Sequence, residues 1–205
     1  QGLYLDGNKL LGKIPSSIGN LTQLVVLFLF QNNLEGSIPP SIGTCQSLQQ
    51  LDVSQNYLSG VIPQQVFQIF SLSLLLNLSH NSFSGKLPVE VDSLKNINSL
   101  DVSKNNFSGE IPTTIGNCLN LVYLGLQGNS FNGTIPSSMA SLKSLEHLDV
   151  SRNNLSGLIP KGLDKLLFLK YLNISFNNIE GEVPTNGVFK NVNIISVIGN
   201  NKLCG

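Results

Sequence analysis

The sequence predicts a solenoid, a right-handed curved superhelix with one parallel β-sheet on its concave face and short second strands and 3₁₀ or short helical turns towards its convex side. Three observations predict it. Asparagine recurs at Asn8, Asn32, Asn56, Asn81, Asn105, Asn129, Asn153, Asn177 and Asn201, a step of 24 residues with a single step of 25. The phrase L-x-L-x-x-N-x-L-x-G-x-I-P surrounds the first eight of these, as in Leu27 to Pro39. Eight of the nine prolines stand three residues after a glycine, from Gly12 and Pro15 to Gly181 and Pro184. Copies with such a period bury their apolar faces only against neighbouring copies, so they stack instead of closing around a common centre.

Each part of the phrase has its own physical reason. The alternating L-x-L has the period of a short strand, with leucines inward and the x positions outward, and identical strands stack into one parallel sheet. The asparagine leaves the strand at a buried turn, where its amide can satisfy backbone groups of its own and the next coil. The G-x-I-P segment reads as a second, short edge strand followed by a turn, because proline is tolerated only where no ladder donor is needed. The rest of each copy, such as Ser137 to Leu145, is long enough for a turn or two of 3₁₀ or α-helix. Residues 1–184 hold about eight copies, and 185–205 a last partial copy.

These proline-marked copies resemble the leucine-rich repeats of plant receptor-like serine/threonine kinases, and the resemblance runs the length of the chain. Three features narrow it: the longer copy Ser71 to Asn81, the phrase Leu124 to Phe131, and the ending Gly187 to Asn191 followed by Gly199 to Gly205. Together they are similar to the last ectodomain repeats of the subfamily that senses flagellin, elongation factor and sulfated peptides. The resemblance implies a ligand- and co-receptor-binding segment at the extracellular face of the plasma membrane, in innate immune or peptide perception. It implies as partners a peptide or protein ligand and a shorter leucine-rich-repeat co-receptor kinase near the C-terminal repeats. The parent would carry one transmembrane helix and a kinase domain outside these residues. It also implies that Leu203-Cys204-Gly205 opens a truncated C-terminal cap in which Cys204 pairs with a cysteine beyond the chain end, in an oxidising compartment. Two other readings share the repeats: a secreted inhibitor of a cell-wall-degrading enzyme, and a kinase-less receptor-like protein. A full-length sequence continuing past Gly205 into an apolar span and a kinase separates them. The start at Gln1 inside a repeat, with Met139 the single methionine, predicts a piece of a longer chain.

Composition excludes other classes of partner. Twelve basic and twelve acidic residues give no net charge, which removes the electrostatic footprint of a nucleic-acid binder. No stretch reaches the ~20 apolar residues of a bilayer span, the greasiest, Phe70 to Leu78, being broken by Ser71, Ser73 and Asn77. The two histidines, His80 and His147, lie three coils apart, and no nucleophile and base converge, so no catalytic residue is assigned. Asp52, Asp101 and Asp149 share one strand position and read as a solvated structural stripe rather than an acid-base set. Closely spaced metal ligands and phosphate loops are lacking, so neither metal nor cofactor is expected. Cys45 and Cys118 align with Leu21, Leu94, Leu142 and Leu166 in other coils. Their three-coil separation, about 14 Å at ~4.8 Å per strand, exceeds disulfide reach, so both read as buried thiols.

Two outward patches depart from the polar choices of the repeat and are candidate ligand-binding sites. The first is Val25, Val26, Phe28 and Phe30, apolar residues of one strand that no neighbouring coil is expected to cover, unless they pack among themselves. The second surrounds Gly125 and Gly128, whose missing side chains predict a shallow depression. Lys104 and Arg152 flank it, and Tyr123, Gln127 and His147 lie at its edge. Such a place would receive a peptide's carboxylate or sulfate; in the alternative, Lys104 and Arg152 pair with Asp101 and Asp149. Six Asn-x-Ser/Thr sequons mark candidate glycosylation sites at Asn20, Asn77, Asn106, Asn132, Asn154 and Asn173. Asn77 and Asn173 fall on outward strand positions, where a glycan would obstruct the concave sheet.

Overall fold

The structure, a computed structural model, describes residues 1–204. Nine short strands, from Gly2–Tyr4 to Ile195–Ser196, line up in chain order in one parallel sheet. Leu27, Leu51, Leu76, Leu100, Leu124, Leu148 and Leu172 are mutual register partners along it, and each is buried. Opposite, eight 3₁₀ turns run from Ser16–Asn20 to Gly187–Lys190, and no α-helix forms among the described residues. Seven of these turns open on a proline in extended conformation, Pro15 the first and Pro160 the last, and close six residues later on a Leu, Ile or Cys. The bonds within them are of the i→i+3 kind, as from Ile18 N to Pro15 O and from Leu21 N to Ile18 O. The stack is a leucine-rich-repeat-type curved solenoid with the nine-stranded sheet on its concave side.

The second strands form the flank between sheet and 3₁₀ turns. A six-stranded ladder runs from Leu11–Lys13 to Ser130–Asn132, and a three-stranded one joins Ser156–Leu158, Asn178–Glu182 and Lys202–Cys204. A single bridge between Thr134 and Ser156 connects the two ladders.

Inside, the second position after the asparagine holds Phe83, Phe107 and Phe131 in successive coils, all with no exposed surface. Their rings stack at 6.4 and 6.2 Å, and each buried ring contributes about 2–3 kcal/mol. Cys45 and Cys118 are buried thiols donating to Ile18 O and Val91 O, both at 3.4 Å. Burial first, then Asp92, pushes Cys118 up to about 12, so it stays an unreactive thiol.

The asparagine ladder runs the other way from the sequence expectation. Asn105 Nδ2 donates to Val102 O and Ser103 O of its own coil and to Leu78 O of the preceding coil, while its Oδ1 accepts from Phe83 N, again one coil earlier. The same four bonds recur at Asn56, Asn81, Asn129, Asn153 and Asn177. The column also ends one residue earlier than the spacing suggested. Asn200, not Asn201, is buried and bonded to Ile179 N, Ile174 O and Val197 O, because the last coil is one residue short.

Candidate functional site

Strict register turns single residues into columns on the concave face. Tyr123, His147 and Tyr171 are partners in three consecutive strands. Their rings stack nearly parallel at 4.4 Å and 4.3 Å between centroids, with interplanar angles of 14° and 6°. Beside them, Asp101, Gly125, Asp149 and Asn173 form the next outward column.

The two columns are cross-linked by hydrogen bonds. Asp149 Oδ1 accepts from Ser151 N at 2.9 Å, and its Oδ2 accepts from Tyr171 Oη at 3.3 Å and Asn173 Nδ2 at 3.2 Å. Asn173 Nδ2 also reaches Tyr171 Oη at 3.1 Å, and its Oδ1 accepts from Ser175 N. Asp101 accepts from Ser103 N at 2.9 Å and, at the limit of 3.5 Å, from Tyr123 Oη. The aspartates thus cap their own turns, which supports the structural reading of this stripe, but Asp52 and Asp149 are buried rather than solvated, because both carboxylates turn into those caps. Burial first, then Asp101 and Asp149, pushes the Tyr123 phenol up to about 12. Burial raises Tyr171 as well. His147 is lowered by burial against the opposing pull of Asp149 and Asp101, so at neutral pH the stack is uncharged.

The expected depression at Gly125 is filled. A Cβ there would lie 2.7 Å from Asp101 Oδ1 and 3.1 Å from Tyr123 Cε1, and the glycine is buried. Its neighbours lean into the space, so Gly125 permits the Asp101 and Tyr123 conformations instead of opening a pocket. Gly128 belongs to another column, together with Gln31, Gln55, His80, Lys104, Arg152 and Phe176. All seven have positive φ, from 51° to 66°. The turn demands it: each N–H in this column is delivered to a carbonyl of the next coil, as Lys104 N to Gln127 O and Arg152 N to Ser175 O. Gly128, like Gly7 and Gly199 at the same position of the first and last coils, suits a left-handed backbone that the six other coils hold with a side chain under strain.

Lys104 and Arg152 project from that column, both exposed, and neither pairs with Asp101 or Asp149. The ion pairs of the described residues are Lys170–Glu146 at 2.7 Å and Lys202–Glu180 at 3.8 Å. The aspartates point along the sheet into their own turns, whereas the left-handed backbone swings the cations outward. Arg152 lies 4.5 Å above the Phe176 ring, a cation–π arrangement that the sequence did not predict. Gln127 is half-buried, and its Oε1 is enclosed with no hydrogen-bond partner.

The first apolar patch is covered after all. Tyr4 of the preceding coil meets Phe28 edge-on at 5.5 Å, and Phe28 meets Phe30 at 5.8 Å. With Val25 and Val26 they are half-buried rather than bare. Tyr171, Phe176 and Tyr4 were not singled out by the sequence. The 24-residue step from Tyr123 through His147 reaches Tyr171 directly and was the signal available.

The remaining candidates are dispersed. Asn20, Asn106, Asn132 and Asn154 are exposed, while Asn77 and Asn173 are half-buried on the sheet. Cys204 ends the last flank strand, exposed. No group of metal-ligating side chains occurs among the described residues, and no helix there is long and apolar enough to cross a membrane.

The family model described as a leucine-rich repeat region matches residues 68–192, and that of the single Leucine Rich Repeat matches 1–21, 23–45 and 47–69. Among solved structures, a TDR receptor is 38% identical over 86% of this chain and 30% of its own, with a TM-score of 0.84. The Arabidopsis receptor kinase HAESA, in complex with the peptide hormone IDA and the co-receptor SERK1, is 32% identical over 100% of this chain, with a TM-score of 0.77. This chain spans 38% of that one. A plant ice-binding protein shares the fold at 26% identity and a TM-score of 0.66, over 99% of this chain and 81% of its own. No curated protein sequence matches.

Proposed function

Because the chain belongs to the leucine-rich-repeat family, we propose that it is the ligand- and co-receptor-binding extracellular segment of a plant receptor-like kinase. The observation that carries the reading is on the concave face, where an uncharged aromatic stack is followed, beyond the Asp101 to Asn173 column, by a column that presents two cations outside any ion pair. A fold shared with both hormone receptors and an ice-binding protein does not select between them; outward side chains do.

In this reading a peptide lies along the sheet axis. Tyr123, His147 and Tyr171 give it a row of ring edges to pack on, and Lys104 and Arg152 take a carboxylate or sulfate through charge-assisted hydrogen bonds. The shorter co-receptor kinase joins beside the last repeats, as a co-receptor is present in the HAESA complex. Signal transfer then belongs to kinase domains outside these residues, with the parent anchored by one transmembrane helix. Perception of microbial or endogenous peptides is the biological role we assign to it. Cys204 pairs with a cysteine further along the parent chain.

The test is a binding titration on the complete ectodomain against the cognate peptide. Lys104→Ala together with Arg152→Ala should weaken binding by about 1.5–3 kcal/mol for each strong charge-assisted hydrogen bond removed. Unchanged affinity in the folded double variant would remove the cation column and transfer the site to Phe28, Phe30 and Tyr4.

A further inference from the structure

The six sequons divide sharply by what their side chains already do. Asn77 Nδ2 donates to Asp52 Oδ2 at 3.0 Å and its Oδ1 accepts from Ser79 N at 3.1 Å. Asn173 is held in the same way by Asp149, Tyr171 and Ser175 N. The hydroxyl residue of each of these sequons, Ser79 in Asn77-Leu78-Ser79 and Ser175 in Asn173-Ile174-Ser175, is buried, and Ser175 Oγ shares a 2.7 Å bond with Ser196 Oγ. The other four differ on every count. Asn20, Asn106, Asn132 and Asn154 are exposed, make no side-chain hydrogen bond, and are followed at the second position by exposed Thr22, Ser108, Thr134 and Ser156.

We propose that the protein carries N-linked oligosaccharides at Asn106, Asn132 and Asn154, and at Asn20, while Asn77 and Asn173 stay unmodified as working parts of the concave network. The inference rests on the extracellular reading above, since it needs the secretory pathway's transferase and its lipid-diphosphate-linked oligosaccharide. In the transfer, Asn Nδ2 bonds to the first sugar carbon and gives up one proton, and the lipid diphosphate leaves. A sugar on Nδ2 of Asn173 leaves one N–H for the two acceptors, Asp149 Oδ2 and Tyr171 Oη, that the amide now serves. It also sets a bulky group between neighbouring strands. On the flank no bond is lost. Asn106 and Asn132 lie on the second strands Asn106–Glu110 and Ser130–Asn132, and Asn154 stands just before Ser156–Leu158. Three consecutive coils thus carry sugar on one flank, the coils that surround Tyr123 and His147, and the concave columns stay bare.

Glycopeptide mass spectrometry on the complete native protein, with and without an enzyme that releases N-glycans, tests the assignment without any variant. Glycans are expected at Asn20, Asn106, Asn132 and Asn154, and none at Asn77 and Asn173. Correspondingly, Ser79→Ala and Ser175→Ala, which delete the sequons but keep both amides, should leave electrophoretic mobility unchanged. Ser108→Ala, Thr134→Ala and Ser156→Ala should each increase it by one glycan. Occupancy of Asn77 or Asn173 in the folded protein overturns the assignment alone, as do bare flank sites on a protein glycosylated elsewhere. A protein with no glycan at any site overturns it together with the extracellular reading.

Discussion

Two columns of the solenoid lie one residue apart and obey opposite rules. The inner one is asparagine in every coil, typified by Asn105, buried and bonded four times over. The outer one, immediately before it, reads Gly7, Gln31, Gln55, His80, Lys104, Gly128, Arg152, Phe176 and Gly199, with no single residue type prescribed. Both serve the same turn. In the inner column a side chain completes the backbone's hydrogen bonds, so its chemistry is fixed; in the outer column only the backbone angle is dictated, and the turn itself uses no side chain. What varies there is available for recognition.

The largest expected effect breaks the inner column. Asn105→Ala leaves Phe83 N without its partner and takes one of two donors from each of Leu78 O, Val102 O and Ser103 O, and should destabilise the complete protein by about 3 kcal/mol. Urea unfolding reads it, and a loss under about 1 kcal/mol would mean that water replaces the amide. Next, Gly125→Leu should cost about 2 kcal/mol, because Asp101 and Tyr123 already occupy the space. Abolished peptide binding at unchanged stability would restore the open depression. In the outer column the sign reverses: Lys104→Gly should stabilise by about 0.5–1 kcal/mol by removing left-handed strain. Arg152→Gly should gain less, since it forfeits the cation–π attraction to Phe176. The smallest effect concerns pH. His147 is lowered below its ordinary 6.5, so the unfolded chain binds the proton more readily. Stability from this group is complete above the unfolded value and declines as pH falls through and below it. Urea midpoints between about pH 5 and 7 should therefore rise with pH, and less steeply in His147→Phe. His80, lowered in the same direction by burial and Lys104, will retain part of the slope.

The columns explain which parts of the molecule the sequence disclosed. Strands, asparagines and proline-led turns were legible because each coil repeats the same local requirement, and the requirement names a residue type. The direction of the asparagine bonds was not, since a spacing of 24 is the same read forwards or backwards. Nor was the choice of Asn200 over Asn201, which hangs on a coil one residue short. At the site, Lys104, Tyr123, His147 and Arg152 stood out by their departure from the repeat. The depression at Gly125 was misjudged because a missing side chain says nothing of where Asp101 and Tyr123 will lean. Phe28 and Phe30 were misjudged for a related reason: Tyr4, the register partner of Phe28 one coil earlier, leans onto them, and the repeat spacing does not say where an outward side chain leans.

The aromatic stack also sets a ruler. Its rings step by 4.4 and 4.3 Å along the axis, whereas an extended chain advances about 3.4 Å per residue. The three rings span about 8.7 Å, over which an extended peptide advances between two and three residues, so its side chains fall out of phase with the rings within the length of the stack. Such a surface behaves as a vernier scale: it distinguishes ligands by the interval between their large side chains, and a single inserted residue shifts the alignment of everything beyond it.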